Sequence, residues 1–209
     1  MQKIIILIFL ILTFICSCSK TNENAKDLIN KAKLLWDGKQ YTNPKKAIEY
    51  FDKAIKLQPN YVEAYIRRGV AYKNIEQNQP AIEDFTMAIR LQPDNVLAYF
   101  NRGTIYSNLN QDKQAIDNFN EVIRLKPNYF IAYNGRGICY LSLGQSPLAI
   151  ENFNKAIHLK PDYAEAYCER GIAYGILGNS NLGCRDLQKA CELGNCKLLE
   201  ASKSRELCR

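Results

Sequence analysis

Hydrophobic and small side chains recur along this chain at intervals of 34 residues. The first half of each interval holds two tyrosines and a glycine, in three series: Tyr65, Tyr99, Tyr133 and Tyr167; Gly69, Gly103, Gly137 and Gly171; and Tyr72, Tyr106, Tyr140 and Tyr174. The second half holds alanine and phenylalanine and closes with proline: Ala81, Ala115 and Ala149; Phe85, Phe119 and Phe153; and Pro59, Pro93, Pro127 and Pro161. A fixed period of this length indicates stacked structural repeats.

Each interval predicts two amphipathic helices. One face of the first helix is formed by residues spaced i, i+3, i+4 and i+7, which are Tyr99, Arg102, Gly103 and Tyr106. The matching face of the second helix is formed by Ala115, Phe119 and Val122. Pro127 cannot continue this second helix and turns the chain into the next interval. One hairpin cannot bury its apolar face alone, so we expect the units to stack into a curved solenoid.

This pattern resembles the tetratricopeptide repeat over roughly 150 residues. The resemblance implies an all-α fold: a right-handed superhelix (α-solenoid) of helix-turn-helix hairpins with a C-terminal capping helix. It predicts an imperfect leading unit, four complete units and a cap, at residues 27–60, 61–94, 95–128, 129–162, 163–194 and 195–209. The first helix of the leading unit is expected near Asp27 to Asp37, before an apparent insertion around residues 41–44.

The start of the chain has the plan of a secretory signal. Lys3 precedes an apolar run from Ile4 to Ile15, and small polar residues follow. This run is shorter than the roughly 20 residues that a spanning helix needs. A permanent transmembrane anchor is therefore the weaker alternative.

The tetrapeptide at residues 15–18, Ile-Cys-Ser-Cys, resembles the lipobox of bacterial lipoproteins. The resemblance implies a signal peptide at residues 1–17, an acylated (palmitate-bearing) Cys18 and a lipidated tether at residues 18–26. Cys16 is the rival acceptor, but the motif requires a small residue before the cysteine and Cys16 follows an isoleucine. Ser19 resembles the sorting signal for the outer membrane of Gram-negative bacteria. We therefore expect a protein of the cell envelope, lipid-anchored and facing the periplasm.

The positive charge of the chain is concentrated near this start. The net charge is +7, and removal of residues 1–17 lowers it to +6. Nine lysines and five acidic residues lie between Lys20 and Lys56, here called the basic segment. The basic segment could attract anionic head groups or cell-wall polymers, although an ordinary solvated helix face is the simpler explanation. No run of basic residues forms an electrostatic stripe, so we expect no nucleic-acid binding.

The sequence contains few residues that could support catalysis. His158 is the single histidine, and no carboxylate pair, glycine-rich phosphate loop or nucleophile with a base can be assembled. We therefore expect no enzyme, no cofactor and no metal site.

An arginine precedes the glycine of each complete unit, at Arg68, Arg102, Arg136 and Arg170. The second helices offer hydrogen-bond acceptors that recur with the same spacing, at Asp84, Asn118, Asn152 and Asp186. We therefore predict a structural role, in which each arginine bonds to the second helix of its own unit.

Six cysteines remain after loss of the signal peptide and acylation of Cys18, an even number that suits an oxidising compartment. If the last repeat helix and the cap form an antiparallel hairpin near residue 194, two nested pairs face each other: Cys191 with Cys196, and Cys184 with Cys208. We therefore hypothesise two disulfide bonds that staple the C-terminal end.

Other roles for these cysteines are weaker. Reduced, buried thiols are the main alternative to the disulfides. A zinc site is disfavoured because Cys184 and Cys191 lie roughly 10 Å apart by helical rise, which is too far for one tetrahedral ion. Cys139 and Cys168 lie on neighbouring first helices but at different depths, so we do not expect a bond between them.

The predicted site of function is the groove, defined as the faces of the first helices that do not touch their own second helix. Its residues are mostly apolar: Ile66, Val70 and Lys73; Leu97, Phe100, Thr104 and Asn108; Ile131, Asn134, Ile138 and Leu141; and Glu165, Cys168, Ile172 and Ile176. Family members that clamp the C-terminal carboxylate of chaperones place lysine and asparagine at the positions of Ile66 and Val70. That activity is therefore not expected here.

Two functions are compatible with these patterns. The first is a non-enzymatic lipoprotein scaffold that holds a protein partner, such as an amphipathic helix, in the groove. The second is a structural envelope protein that binds cell-wall glycan or lipid head groups through the basic segment, with the groove used for self-association. Neighbouring first helices or a second copy of the chain could also close the groove. Salt should separate the two, because electrostatic contacts weaken steeply above about 0.2 M salt.

Overall fold

In the computed structural model, the described residues are 23–197, 199–200 and 208, and they form ten named helices. In chain order these are α1 (Ala25–Lys33), α2 (Pro44–Leu57), α3 (Val62–Asn74), α4 (Asn78–Leu91), α5 (Val96–Asn108), α6 (Asp112–Leu125), α7 (Phe130–Ser142), α8 (Ser146–Leu159), α9 (Ala164–Ile176) and α10 (Ser180–Glu192). The predicted signal peptide, the predicted lipid attachment at Cys18 and residues 198, 201–207 and 209 of the predicted cap lie outside the described residues. None of the described helices is long and apolar enough to cross a membrane.

Consecutive helices pack into a one-dimensional stack. Each odd-numbered helix packs against the even-numbered helix that follows it, and that helix also packs against the first helix of the next pair. The first helices α3, α5, α7 and α9 also contact one another in sequence. The predicted all-α solenoid of helical hairpins is therefore confirmed for the described part of the chain.

In each of the first four hairpins, a phenylalanine near the middle of the second helix fills the space between the helices. Phe51, Phe85 and Phe153 are fully buried, and Phe119 is 2% exposed. The glycine of the first helix makes room for the ring, since a Cβ at Gly137 would lie 2.6 Å from Cε1 of Phe153. The recurrent glycine is therefore required by packing.

The last pair of helices packs differently. Leu187 stands where the earlier units have phenylalanine, and Gly183 stands where they have alanine. A Cβ at Gly183 would lie 2.9 Å from the carbonyl oxygen of Gly171. The smaller side chains therefore let α9 and α10 approach backbone to backbone.

The turn inside each of the four complete hairpins has a left-handed backbone, at positions 34 residues apart. The φ angles are +59° at Glu76, +56° at Asn110, +72° at Gly144 and +77° at Gly178. Glycine and asparagine adopt this conformation readily, whereas a glutamate is strained in it. Helix packing therefore imposes the turn on Glu76 against its local preference.

The leading unit differs from the prediction at both ends of its first helix. α1 begins at Ala25, inside the predicted tether, because Asn24 and Asp27 form a capping box that satisfies the first amides. The helix ends at Lys33, so the expected extension to Asp37 was wrong.

The leading loop, residues 34–43, replaces the end of that predicted helix. Oδ1 of Asp37 accepts hydrogen bonds from the amides of Lys39 and Gln40, both at 2.8 Å, which turns the chain back. Trp36 and Tyr41 then pair across the loop, with ring centroids 5.0 Å apart. The loop therefore folds as a compact insertion of aromatic residues between α1 and α2.

Candidate partner-binding groove

The structure distributes the predicted groove residues over α3, α5, α7 and α9. Leu97, Asn108, Glu165 and Ile176 are exposed. The partly exposed members are Ile66, Val70, Lys73, Phe100, Thr104, Ile131, Ile138, Leu141 and Ile172. Asn134 and Cys168 are buried, at 5% and 3% exposed. The groove is therefore a half-buried surface whose most exposed apolar side chains, Leu97 and Ile176, lie on α5 and α9.

A cavity of about 360 Å³ lies at the N-terminal end of the groove and is here called the N-terminal cavity. Its apolar wall is formed by Trp36, Tyr41, Val62, Ile66, Val70 and Leu97. Its polar wall is formed by Glu63, Arg67, Gln92, Asn95 and Asn101. The structure thus brings together three of the predicted groove residues, Ile66 and Val70 on α3 and Leu97 on α5, and places them beside the leading loop.

The two aromatic residues of this cavity were not predicted as site residues. Trp36 and Tyr41 belong to the leading loop, which the broken repeat pattern located only as an insertion. The amide of Tyr41 donates a hydrogen bond of 3.1 Å to Oδ1 of Asn74, at the end of α3. This contact holds the loop against the first complete unit. The periodicity of the sequence could not indicate such a contact.

Lys73 projects from α3 toward α5 beside the cavity. Its Nζ donates a hydrogen bond of 3.0 Å to Oδ1 of Asn101, whose own Nδ2 donates to the carbonyl of Leu97 at 2.9 Å. Among the described residues, no carboxylate lies within ion-pair distance of Lys73, and burial lowers the pKa of its ammonium group. The groove therefore contains a half-buried cation whose partner is a neutral amide.

The other cations at this end are already paired. Nε of Arg67 lies 2.7 Å from Oε1 of Glu63, and Nζ of Lys33 lies 2.7 Å from the same oxygen. Burial alone would raise the pKa of Glu63, but hydrogen bonds from these two cations hold it below its usual value. Arg67 is therefore part of the wall, whereas Lys73 has no ionic partner there.

Phe100 supports the groove and is not a free surface residue. Its ring lies 5.3 Å from that of Tyr129 and 6.1 Å from that of the core residue Phe119, measured between centroids. A polar substitution at Phe100 would therefore disturb the hairpin core as well as the groove.

Two further polar groups interrupt the apolar surface toward its C-terminal end. Oδ1 of Asn134, on α7, is buried and has no hydrogen-bond partner in the part of the chain that the structure describes. The Glu169 carboxylate, on α9, is half-buried, and burial raises its pKa without any opposing cation. Buried polar groups are normally satisfied, so the oxygen of Asn134 is unusual for a purely structural surface.

The free thiols of the described residues lie beneath this surface. Cys139 and Cys168 are unbonded and buried, as expected, and Sγ of Cys139 donates to Oγ of Ser107 at 3.4 Å. Burial raises the pKa of each thiol to about 11. These cysteines are therefore unsuited to nucleophilic chemistry near neutral pH.

The four arginines form a ladder away from the groove. Each donates to the predicted acceptor on its own second helix: Arg68 to Asp84, Arg102 to Asn118, Arg136 to Asn152 and Arg170 to Asp186. This prediction is confirmed. Each also donates from Nη1 to an acceptor on the preceding unit that was not predicted: Asp52, Thr86, Asn120 and Asn154, respectively. The ladder therefore connects neighbouring units, and its acceptor positions, 16 residues on either side, could have been found from the period.

Two disulfide bonds join the last repeat to the chain end. Cys184 pairs with Cys208, with their Cα atoms 5.4 Å apart, and Cys191 pairs with Cys196. These are the nested pairs that an antiparallel hairpin favours. Within residues 23–197, 199–200 and 208, no group of three His, Cys, Asp or Glu side chains is placed to hold a metal ion.

Family models recognise the repeats along most of the chain. Models of the tetratricopeptide repeat match residues 28–61, 62–95 and 96–129, and a TPR repeat model matches residues 139–178. A search of curated proteins found no match.

Solved structures resemble the whole stack. A crystal structure of MamA is 29% identical, over 78% of this chain and 92% of that one, with a TM-score of 0.69. MamA from Desulfovibrio magneticus RS-1, from residue 41 onward, is 22% identical over 81% and 94%, with a TM-score of 0.75. YrrB, a TPR protein with an unusual peptide-binding site, is 24% identical over 92% and 97%, with a TM-score of 0.72. The last two similarities establish the fold alone.

Proposed function

This chain belongs to the tetratricopeptide repeat family, and from that premise we propose that it is a non-enzymatic scaffold that holds a segment of a partner protein in its groove. Proteins with this fold generally bind protein partners, and the similar protein YrrB is described as having a peptide-binding site. Stacked helical repeats build extended binding surfaces of this kind.

The observation that carries this proposal is the apolar surface of the groove. Leu97 is 54% exposed and Ile176 is 62% exposed, and Leu97 also lines the N-terminal cavity of about 360 Å³. Exposed apolar surface next to a cavity is typical of an interaction site. Aromatic side chains such as Trp36 are common anchors in such sites.

We further propose that the scaffold is a lipoprotein, anchored through Cys18 to the outer membrane and facing the periplasm. The lipobox-like residues 15–18 support the anchor, and Ser19 supports the outer membrane. The disulfides Cys184–Cys208 and Cys191–Cys196 favour an oxidising compartment.

Crosslinking in native membranes tests the scaffold. Wild type should capture a partner that the Leu97→Asp variant loses, because the substitution places a charge on the apolar groove wall. Leu97 is preferable to Phe100 for this test, since Phe100 packs against the core. The matched control is Leu148→Asp on α8, where the side chain is 43% exposed outside the groove. Equal capture by all three proteins would exclude the groove as the site.

Acylation is tested separately. A Cys18→Ala variant should lose metabolic labelling by a palmitate analogue and should leave the membrane fraction. A Cys16→Ala variant should still be labelled and should remain in the membrane fraction. Labelling that survives Cys18→Ala and disappears in Cys16→Ala would assign the lipid to the other cysteine. Membrane association without labelling in wild type would favour a transmembrane anchor.

A second candidate function is supported by the basic segment. Lys26, Lys39, Lys45, Lys53 and Lys56 are all exposed. They could bind cell-wall glycan or lipid head groups close to a membrane anchor. This contact would serve a structural envelope protein whose groove mediates self-association.

A further inference from the structure

We propose that the groove binds an extended peptide segment that carries one acidic and one basic side chain about six residues apart, with apolar residues between them. The acidic side chain would pair with Lys73 and the basic one with Glu169. This inference rests on the proposed scaffold function and adds the chemistry of the partner.

Lys73 supplies the positive end. Among the residues that the structure describes, its Nζ bonds only to the side-chain oxygen of Asn101, at 3.0 Å, and Asn101 lines the N-terminal cavity. Desolvation of a cation is unfavourable unless an anion offsets it. The nearby Arg67 already has Glu63 as its ionic partner. A ligand carboxylate would therefore gain most at Lys73.

Glu169 supplies the negative end. Its carboxylate is half-buried on α9, and its raised pKa has burial as the single cause. The arginine next to it in sequence, Arg170, points its guanidinium elsewhere and bonds to Asp186 and Asn154. Glu165, one turn earlier, is exposed and adds negative charge. A ligand lysine or arginine would therefore find a carboxylate that has no cationic partner in the described structure.

The repeat fixes the separation of the two ends. Glu169 and Asn101, which holds Lys73, occupy the same position of two units separated by one intervening unit. The first helices α5, α7 and α9 contact one another in order. Packed helices are about 8 to 10 Å apart, so the two ends are roughly 20 Å apart. An extended chain covers that distance with about six residues, at about 3.3 Å each.

The amide side chains of the N-terminal cavity favour an extended peptide over the helix that the sequence suggested. Gln92, Asn95 and Asn101 line this cavity. An extended peptide has free backbone groups to which such side chains can bond, whereas a helix uses its backbone groups internally. Ile131 and Ile138, one helical turn to either side of Asn134, are partly exposed and provide apolar contact.

Three synthetic peptides with capped ends test the inference by fluorescence anisotropy with the full chain in detergent. The first is Gly-Asp-Ser-Leu-Ile-Leu-Ser-Lys-Gly, the second exchanges its Asp and Lys, and the third has Gln at both places. The centre of the sequence is the same in both directions, so the first two differ only in the order of charges. One charged order should bind about tenfold more tightly than the neutral peptide, as expected for a partly desolvated charge pair.

Charge-reversed variants assign that advantage to the two residues. Lys73→Glu and Glu169→Lys should each remove it, and the double variant should prefer the opposite order. The matched control combines Lys113→Glu on α6 with Glu151→Lys on α8, both exposed on second helices, and should bind as wild type does. Circular dichroism of each variant should match that of wild type.

The outcomes separate this inference from the proposed function. Suppose that the neutral peptide binds wild type, that Leu97→Asp abolishes this binding, and that neither charged peptide binds more tightly than the neutral one. The scaffold function then stands, and the assignment of charges to Lys73 and Glu169 is wrong. An advantage that survives in Lys73→Glu and Glu169→Lys also overturns the assignment. If none of the three peptides binds wild type, the peptide inference falls, whereas the scaffold is decided by the crosslinking experiment. If wild type self-associates and Lys73→Glu abolishes this self-association, the occupant of the groove is a second copy of the chain. The proposal of a peptide ligand is then overturned.

Discussion

Arg68 holds the carboxylate of Asp84 with two hydrogen bonds, 2.9 Å from Nε and 2.6 Å from Nη2. Asp84 is only 4% exposed, so this ion pair lies within the protein. One unit later, Arg102 donates instead to the neutral oxygen of Asn118, at 2.9 Å. The same position of two adjacent repeats therefore contains a buried ion pair in one case and a neutral acceptor in the other.

The two arginines should differ in their effect on stability. Arg68→Leu leaves Asp84 buried without its cation, which is expected to lower the free energy of unfolding by about 3 kcal/mol. Arg102→Leu leaves a neutral amide and is expected to lower it by about 1 kcal/mol. Urea unfolding followed by circular dichroism compares them. Equal losses would show that the charge of Asp84 contributes nothing, and a loss of partner capture by folded Arg102→Leu would contradict the structural role of the ladder.

The Arg68→Leu variant should also depend on pH. Burial already raises the pKa of Asp84, and loss of Arg68 removes the interaction that opposes this rise. A carboxyl with a raised folded-state pKa stabilises the fold below its unfolded pKa and loses that contribution as pH rises through the folded value. The deficit relative to wild type should therefore shrink as the pH falls from neutral into the acidic range. A constant deficit would indicate that Asp84 remains ionised throughout.

The two disulfides should contribute unequally to stability. The bond between Cys184 and Cys208 spans 24 residues, whereas that between Cys191 and Cys196 spans 5. In the chain-entropy model, Cys208→Ser should cost about 3 kcal/mol and Cys196→Ser about 2 kcal/mol. Urea unfolding of each variant, with Cys168→Ser as an unbonded control, measures the difference.

Mass spectrometry of the oxidised protein after alkylation checks the pairing directly. Peptides that contain Cys184 and Cys208 should run as one crosslinked species until a reductant is added. Alkylated Cys184 and Cys208 in the exported, unreduced protein would contradict the staple.

The free thiols should react slowly in the folded state. Burial raises the pKa of Cys139 and Cys168 to about 11, so little thiolate exists near pH 8. Iodoacetamide should therefore label them slowly in native protein and quickly in urea, and the native rate should climb as the pH approaches that value. Fast native labelling at pH 8 would show that the first helices open readily.

Salt should distinguish groove binding from binding through the basic segment. An apolar groove should retain its partner between about 0.05 and about 0.5 M salt, because screening acts mainly on exposed charges. A contact through exposed Lys45 and Lys53 should weaken steeply over that range and be lost in a Lys45→Glu, Lys53→Glu variant. Capture experiments at several salt concentrations measure this, with Lys113→Glu, Lys155→Glu as the matched control for charge. Steep salt dependence would favour the structural envelope function.

The sequence predicted most of the repeat architecture because the packing requirements repeat. Gly137 and Phe153 recur at fixed spacing, and the structure shows why: a Cβ on the glycine would lie 2.6 Å from the ring. The arginine contacts inside each unit were predicted for the same reason. The contacts between units, such as Arg68 with Asp52, were not predicted. Their acceptors differ in residue type from unit to unit: Asp52, Thr86, Asn120 and Asn154.

The leading unit was predicted least well, since its pattern is broken. A capping box at Asn24 starts α1 early, and the turn at Asp37 ends the helical path. Both features depend on local hydrogen bonds, which the spacing of hydrophobic residues along the chain does not reveal. Trp36 and Tyr41 could therefore be assigned to the candidate site only from the folded structure, in which the loop places both in the wall of the N-terminal cavity.

The sequence by itself therefore determined the fold, because each helix must bury a stripe of apolar side chains whose spacing is visible in the chain. It also indicated which faces were left for a partner. The tertiary structure alone decided which polar groups in that face are satisfied. Within the described part of the chain, Lys73 and Glu169 have no ionic partner and Oδ1 of Asn134 has no hydrogen-bond partner, and such partners come from helices distant in sequence. Burial and pairing are properties of the packed stack, so the chemistry of the groove became visible only when the helices were in place.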